Sequence, residues 1–360
     1  MKLFAFSLVF AYAVFDIQIA TIIYLIIFIK HYLFDKLTLT IKVDLSLLLF
    51  ALFATWVTIS TVIFRLETSS YDFRILSKYV FIFFYLIFIF PIRLNQNTFD
   101  ILIYKFSLLF SLFIILLFSY LFIFQQDILL NGIITRLWAV GYIPGWPNSA
   151  PIPLLFGLWI SFRNNLSLFG KLLLSTAIIL TFARTGWVCA SMIAIFYFYI
   201  KILKNIKNFK ILSVCALVVS SIFILFNFES EVGEIFYYSD RLDVFHYALS
   251  YIERRPLLGY GGNTLDQLDG IYTGYIPLFP WNHTHNWILE MMLRYGLVGA
   301  FLFIFYMASI FIKIKNSEKR FMFFLLLFSA LFQTYMQEFI YLFFLSYLAS
   351  ESSASNPNVS

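Results

Sequence analysis

Apolar residues in this chain run in unbroken blocks, and block length narrows its folding options more than any other feature. Blocks of roughly 18 or more such residues are what a helix needs to cross about 30 Å of hydrocarbon. Candidate spans fall at 3–33, 44–64, 75–92, 101–124, 148–162, 168–201, 211–227, 285–312 and 321–349. Only 12% of residues are charged and 62% are hydrophobic, against about 25% charged in a soluble domain. These observations predict an all-α, polytopic integral membrane protein and exclude a soluble fold. The first block lacks a small-residue cleavage site and precedes further spans, so it reads as an anchor rather than a removed signal. Cys189 and Cys215 lie inside apolar blocks and form neither a disulfide framework nor a CxxC metal spacing.

Three blocks are too long for one upright helix. The first holds Asp16 and Gln18, the sixth Arg184, and the last Gln337 and Glu338. Charge inside a membrane is costly unless it faces a cavity or the interface. Each long block is therefore expected to be a pair of short helices turning at its polar residue. Pairing raises the expected total from nine helices to about twelve, within a range of 9–12. The expected organisation is one transmembrane domain over 1–349 with a loop insert at 228–284, followed by a polar, disordered tail at 350–360.

The formal charge of +6 is unevenly placed. Lys201, Lys204, Lys207 and Lys210 form a purely basic loop; Lys313, Lys315, Lys319 and Arg320 form another with Glu318 as its one acid. Short basic loops stay cytoplasmic. The 228–284 segment between them then faces outward. It carries Glu229, Glu231, Glu234, Asp240, Asp243, Glu253, Asp266 and Asp269 against Arg241, Arg254 and Arg255. Glycines, prolines and aromatics make it a structured loop rather than a linker. Spacings of 3, 4 and 3 at Leu242, Phe245, Leu249 and Ile252 predict a short amphipathic helix over 240–253 that can lie in the membrane interface.

Three of the four histidines, His246, His283 and His285, fall in or at the end of this loop. In Trp281-Asn282-His283-Thr284-His285-Asn286-Trp287, a histidine at the interface can serve as general base near neutral pH. The plainer reading is that these residues anchor and cap the next helix. His-x-His also offers two ligands to zinc, but a catalytic site needs about three and no further partner is evident; no metal and no cofactor is expected. Arg184, Arg241, Arg254 and Arg255 offer always-charged forks matched to phosphate oxygens. Their plainer readings are snorkelling for Arg184, an ion pair with Asp240 or Asp243 for Arg241, and solvated charge for Arg254 and Arg255. Gly259-Tyr260-Gly261-Gly262 lacks the context of a nucleotide loop and reads as a tight turn.

Several of these segments, in order, resemble the O-antigen polymerase and O-antigen ligase superfamily. Thr181-Phe182-Ala183-Arg184-Thr185-Gly186 resembles its arginine-containing motif, and Gly145-Trp146-Pro147-Asn148-Ser149 its turn before a span. Arg241 followed by Pro256-Leu257-Leu258-Gly259-Tyr260-Gly261 is similar to the start of its large periplasmic loop. His285-Asn286, Ile288-Leu289-Glu290 and Tyr295-Gly296-Leu297-Val298-Gly299 are similar to the loop's end and the helix beyond. The resemblance covers about 140–312.

It implies a bacterial inner-membrane glycosyltransferase working at the periplasmic face without metal. The donor would be a glycan on polyprenyl diphosphate. His285 would be the base, with Arg241 and Arg184 on the diphosphate. Glu290 would orient the histidine or acceptor, and Arg254, Arg255, Asn286 and His283 would contact substrate. The acceptor is a second lipid-linked repeat unit for a polymerase, or lipid A core for a ligase. Richness in Phe, Ile and Tyr with few Gly and Pro suggests an AT-rich gene, as polysaccharide clusters often have, and favours the polymerase. Expected partners are membrane lipid and a chain-length regulator or flippase, not nucleic acid. The contrasting class is a lipid-linked oligosaccharide transporter, which needs polar groups along a midplane path; here polar density concentrates in one external loop.

Overall fold

The computed structural model describes residues 45–68, 96–127, 129–130, 150–200, 239–263, 265–272, 284, 286–331, 344–345 and 347–349. Helix is the only regular structure among them: α1 (Leu45–Thr68), α2 (Gln96–Phe124), α3 (Pro151–Arg163), α4 (Leu168–Leu180), α5 (Arg184–Phe198), α6 (Ser239–Arg254), α7 (Leu265–Tyr272), α8 (Trp287–Lys313) and α9 (Ser317–Leu331). The expected spans at 3–33, 75–92 and 211–227, the turn at Gln337-Glu338, the basic loop at 201–210 and the tail lie outside the described residues. The chain divides into two compact units, one holding α2–α5 and the other α1 and α6–α9.

In the first unit α3 is the centre. It is apolar on every face, as a helix surrounded by protein must be, and Pro151 through Ser161 are all buried. Pro151 occupies the first turn, where no amide is needed. Gly157 lets α2 approach so closely that a methyl group there would overlap the Ser107 side chain. At the far end of α3, Arg163 pairs with buried Asp100 of α2 at 3.2 Å and lies over the Trp159 ring.

The long block at 168–201 is a helix pair, as its length and Arg184 predict. The turn falls at 181–183, immediately before Arg184, which begins α5. Each member is short: α4 has 13 residues, about 20 Å at 1.5 Å per residue.

The second unit is built on α1 and α8, which run antiparallel. The Lys313 ammonium donates to the Ser46 hydroxyl at one end. At the other, Arg255 from the loop grips Glu67 through contacts of 2.6 and 3.0 Å. Between them Phe50 meets Tyr306 and Phe53 meets Phe303, each with ring centroids 5.1 Å apart. The segment holding α6 and α7 and the basic residues at 313–320 thus sit at opposite ends of one helix pair. Asn316 caps α9 by accepting from the Glu318 and Lys319 amides.

The span expected at 285–312 is matched by α8, but α8 is not one continuous helix. Gly296 takes φ 67° and ψ −176° inside α8, a combination open essentially to glycine alone. Trp287 and Phe303 are sixteen positions apart, about 24 Å along a straight helix, yet their rings stand 5.8 Å apart. Residues 287–295 therefore fold back against 297–313. The first half rises beside α1, and the second returns along it.

Candidate functional site

A break in a helix frees carbonyls and amides that must find partners in an apolar setting. Here the glycine turn between α6 and α7 supplies them. The Tyr260 amide donates to the Leu293 and Arg294 carbonyls, each at 3.0 Å, and the Gly262 amide to Arg294 at 3.4 Å. The Leu297 amide, which opens the second half, donates to Pro256 at 2.7 Å. Helix α1 completes the seal: the Trp56 indole donates to the Tyr295 carbonyl at 2.8 Å, and the Ser60 hydroxyl to Leu258 at 2.6 Å. The approach is close enough that a side chain on Gly259 would meet the backbone of 294–296. The tight turn expected at 259–262 is thus the cap of a broken helix.

Helix α6 runs from Ser239 to Arg254, matching the expected 240–253. The buried residues are Val244, Ala248, Tyr251 and Ile252, packed on Phe64, Tyr260, Leu265, Leu268 and Leu293; Phe245 is only half-buried and Leu249 is exposed. Tyr260 donates its hydroxyl to the Tyr251 carbonyl at 2.8 Å. Burial, helped by Tyr272 and opposed by Arg255 and Arg254, pushes its phenol up to about 12.

Of the arginines proposed for substrate, Arg255 lies over the Phe64 and Tyr260 rings while pairing with Glu67. It ties the loop to α1. Arg254 is exposed beside the Tyr251 ring, at 5.4 Å from its centroid. Arg241 lies in the first turn of α6 and is placed by its backbone.

His283 and His285 lie outside the described residues, but Thr284 and Asn286 do not. Asn286 is the N-cap of α8, its side-chain oxygen accepting from Ile288 and Leu289 at 2.9 and 3.2 Å. Glu290 is completely buried. One of its oxygens accepts from the Thr284 amide (3.1 Å) and hydroxyl (3.0 Å); the other pairs with Arg294 one turn on. Sequence reasoning missed Thr284 and Arg294. The Glu290–Arg294 spacing of four was the available signal; nothing marked Thr284 except its place between two histidines.

In the other unit, the turn that delivers Arg184 is strained. Phe182 has φ 53°, costly for a bulky side chain. The Thr181 hydroxyl donates to Ile178 at 2.6 Å, and the Trp187 indole lies 3.1 Å from both the Ile178 and Ile179 carbonyls. These bonds close the end of α4 and fix where α5 starts. Gly186 brings α5 against Pro151, since a methyl group there would touch the proline ring. Arg184 occupies the first position of α5, whose N-cap Ala183 makes no side-chain hydrogen bond. Among the described residues there is no group of three or more His, Cys, Asp or Glu side chains arranged to hold a metal.

Residues 169–304 match the model of a family described as O-antigen ligase. Arg184, Arg241 and His285 all fall inside that stretch, as do the fold-back of α8 and its glycine cap. A comparison with curated proteins finds no match.

Proposed function

We propose that this chain, which through residues 169–304 is a membrane-integral member of the O-antigen polymerase and ligase superfamily, polymerises lipid-linked repeat units. The observation that carries the reading is that one family match encloses every candidate catalytic residue. The donor is a glycan on polyprenyl diphosphate. The acceptor is the terminal hydroxyl of another lipid-linked unit. The new bond joins the acceptor oxygen to the donor's anomeric carbon as the bond from that carbon to the phosphate oxygen breaks. The hydroxyl proton passes to His285, and polyprenyl diphosphate leaves with the bonding pair. Negative charge grows on the diphosphate during this step, so cationic groups aimed there lower the barrier. Arg241 and Arg184 are assigned that task. Arg254 is exposed and able to meet the glycan; Arg255 and Asn286 already serve the fold through Glu67 and the start of α8. His283 is assigned a lesser, substrate-side role.

A ligase, the activity in the matching family's description, would use the same chemistry with lipid A core as acceptor. Composition favours the polymerase: 47 Phe and 23 Tyr stand against 14 Gly and 9 Pro, the bias of an AT-rich gene such as those of polysaccharide clusters. A deletion strain separates the two. Loss of long chains with single repeats still on core identifies a polymerase; loss of all attached glycan identifies a ligase. Purified protein given lipid-linked donor must make a new glycosidic bond. A transporter would not.

Two further results are expected. Activity should persist in EDTA, because arginines rather than a metal ion are assigned the leaving group; complete loss restored by Mg²⁺ or Zn²⁺ would mean that the arginines do not suffice and that His283-Thr284-His285 must be read again. The loop is placed on the periplasmic side of a bacterial inner membrane. With Cys189 and Cys215 replaced by alanine, a cysteine at Asp269 should react with an impermeant thiol reagent from that side. One at Asn208 should not. The reverse pattern would move the reaction to the other face.

A further inference from the structure

We propose that Glu290 is a positioning residue which anchors Thr284, the residue between the two histidines, and does not itself bind substrate. The inference rests on the reading of His285 as the base and names what anchors the residues on either side of it. Glu290 and Thr284 each have no exposed surface. One Glu290 oxygen takes both the Thr284 amide and its hydroxyl, and the other is engaged by Arg294. Both oxygens are occupied inside the protein. A buried carboxylate stays ionised only with such compensation. Glutamate four residues before arginine is the favourable order, and the first turn of a helix favours the anion.

The network continues on the far side of His285. The Thr284 hydroxyl lies 2.9 Å from the Asn286 carbonyl and 3.4 Å from its amide, and Asn286 in turn caps α8. The residues before and after His285 are therefore both anchored, and the anchor stands on the fold-back. Arg294 carries the side chain that balances Glu290 and the carbonyl that the glycine turn caps. A misplacement of about 1 Å can cost 10²-fold in rate, which is the scale of effect that losing this anchor should have.

The discriminating variants are at Thr284, where a change of one atom leaves the Glu290–Arg294 pair intact. Thr284→Val removes the hydroxyl and keeps the shape; Thr284→Ser keeps the hydroxyl. In purified, monodisperse protein supplied with lipid-linked donor, Thr284→Val should lower kcat by about 10- to 100-fold with KM for the donor within about twofold. Thr284→Ser should recover most of that loss. Glu290→Gln should show the same split of kcat from KM; if it fails to fold, the Thr284 pair decides. Wild-type kcat in Thr284→Val overturns the proposal. So does a loss confined to donor KM, which would make the network a substrate ligand, or a serine variant as impaired as the valine. His285→Ala is run alongside. If it keeps turnover, the base assignment falls and this inference with it. If it is inactive while Thr284→Val is unaffected, only the positioning role is lost.

Discussion

Replacing His285 with alanine is expected to lower turnover by roughly 10²–10⁴-fold while donor affinity changes little, because a general base acts on the reaction step rather than on binding. The arginines should behave differently. Arg241→Lys and Arg184→Lys keep the charge but lose the planar fork that meets two phosphate oxygens at once. Each should therefore weaken donor binding as well as rate, with lysine restoring neither in full. Arg184 carries a second expectation. Its helix begins at a turn held by Phe182 at positive φ and by the Trp187 indole, so its position depends on backbone that a side-chain substitution leaves untouched. His283→Ala is the internal control and should matter less than His285→Ala. Turnover, donor KM and monodispersity are measured for each variant. If His283→Ala abolishes activity and well-folded His285→Ala retains it, the base is misassigned; if both stay active, the histidine mechanism is withdrawn.

Local patterns were legible wherever local forces decide the outcome. The apolar block at 44–64 became Leu45–Thr68, the amphipathic period at 240–253 became Ser239–Arg254, and the overlong block at 168–201 split beside Arg184 as the cost of intramembrane charge requires. What escaped depends on partners distant in sequence. The inward face of α6 is set by Phe64 and Leu293, which the helix's own period cannot reveal. The fold-back of α8 needs the Tyr260 and Gly262 amides, far upstream in sequence, to cap the Leu293 and Arg294 carbonyls. Tyr295-Gly296 was visible in the sequence, yet an isolated glycine in an apolar run is compatible with a straight helix. The site divides in the same way. His285 and the arginines are candidates by residue type alone, whereas the clamp of Thr284 by Glu290 has no such signal, because a buried carboxylate facing its own upstream loop leaves no periodic trace.

The sign of one substitution decides whether α8 folds back. In a continuous helix, Gly296→Ala would stabilise the protein by about 1 kcal/mol, since alanine is the better helix former. In the structure Gly296 sits at φ 67° and ψ −176°, where an L side chain costs ~1–3 kcal/mol from strain alone. The added methyl would also run into the carbonyl of Leu257. That carbonyl cannot retreat, because the Leu258 carbonyl beside it is held by Ser60 and the Pro256 carbonyl by Leu297. Gly296→Ala should therefore lower the thermal midpoint in detergent or prevent recovery of monodisperse protein. Gly259→Ala should do the same from the other side of the contact, at φ 66° against the backbone of 294–296. Leu257→Ala is the control: its side chain is 60% exposed, so the fold should tolerate the change. A Gly296→Ala protein at least as stable as the parent would show α8 to be straight. Residues 287–295 would then extend away from α1, carrying the local network of Thr284, Glu290 and Arg294 with them.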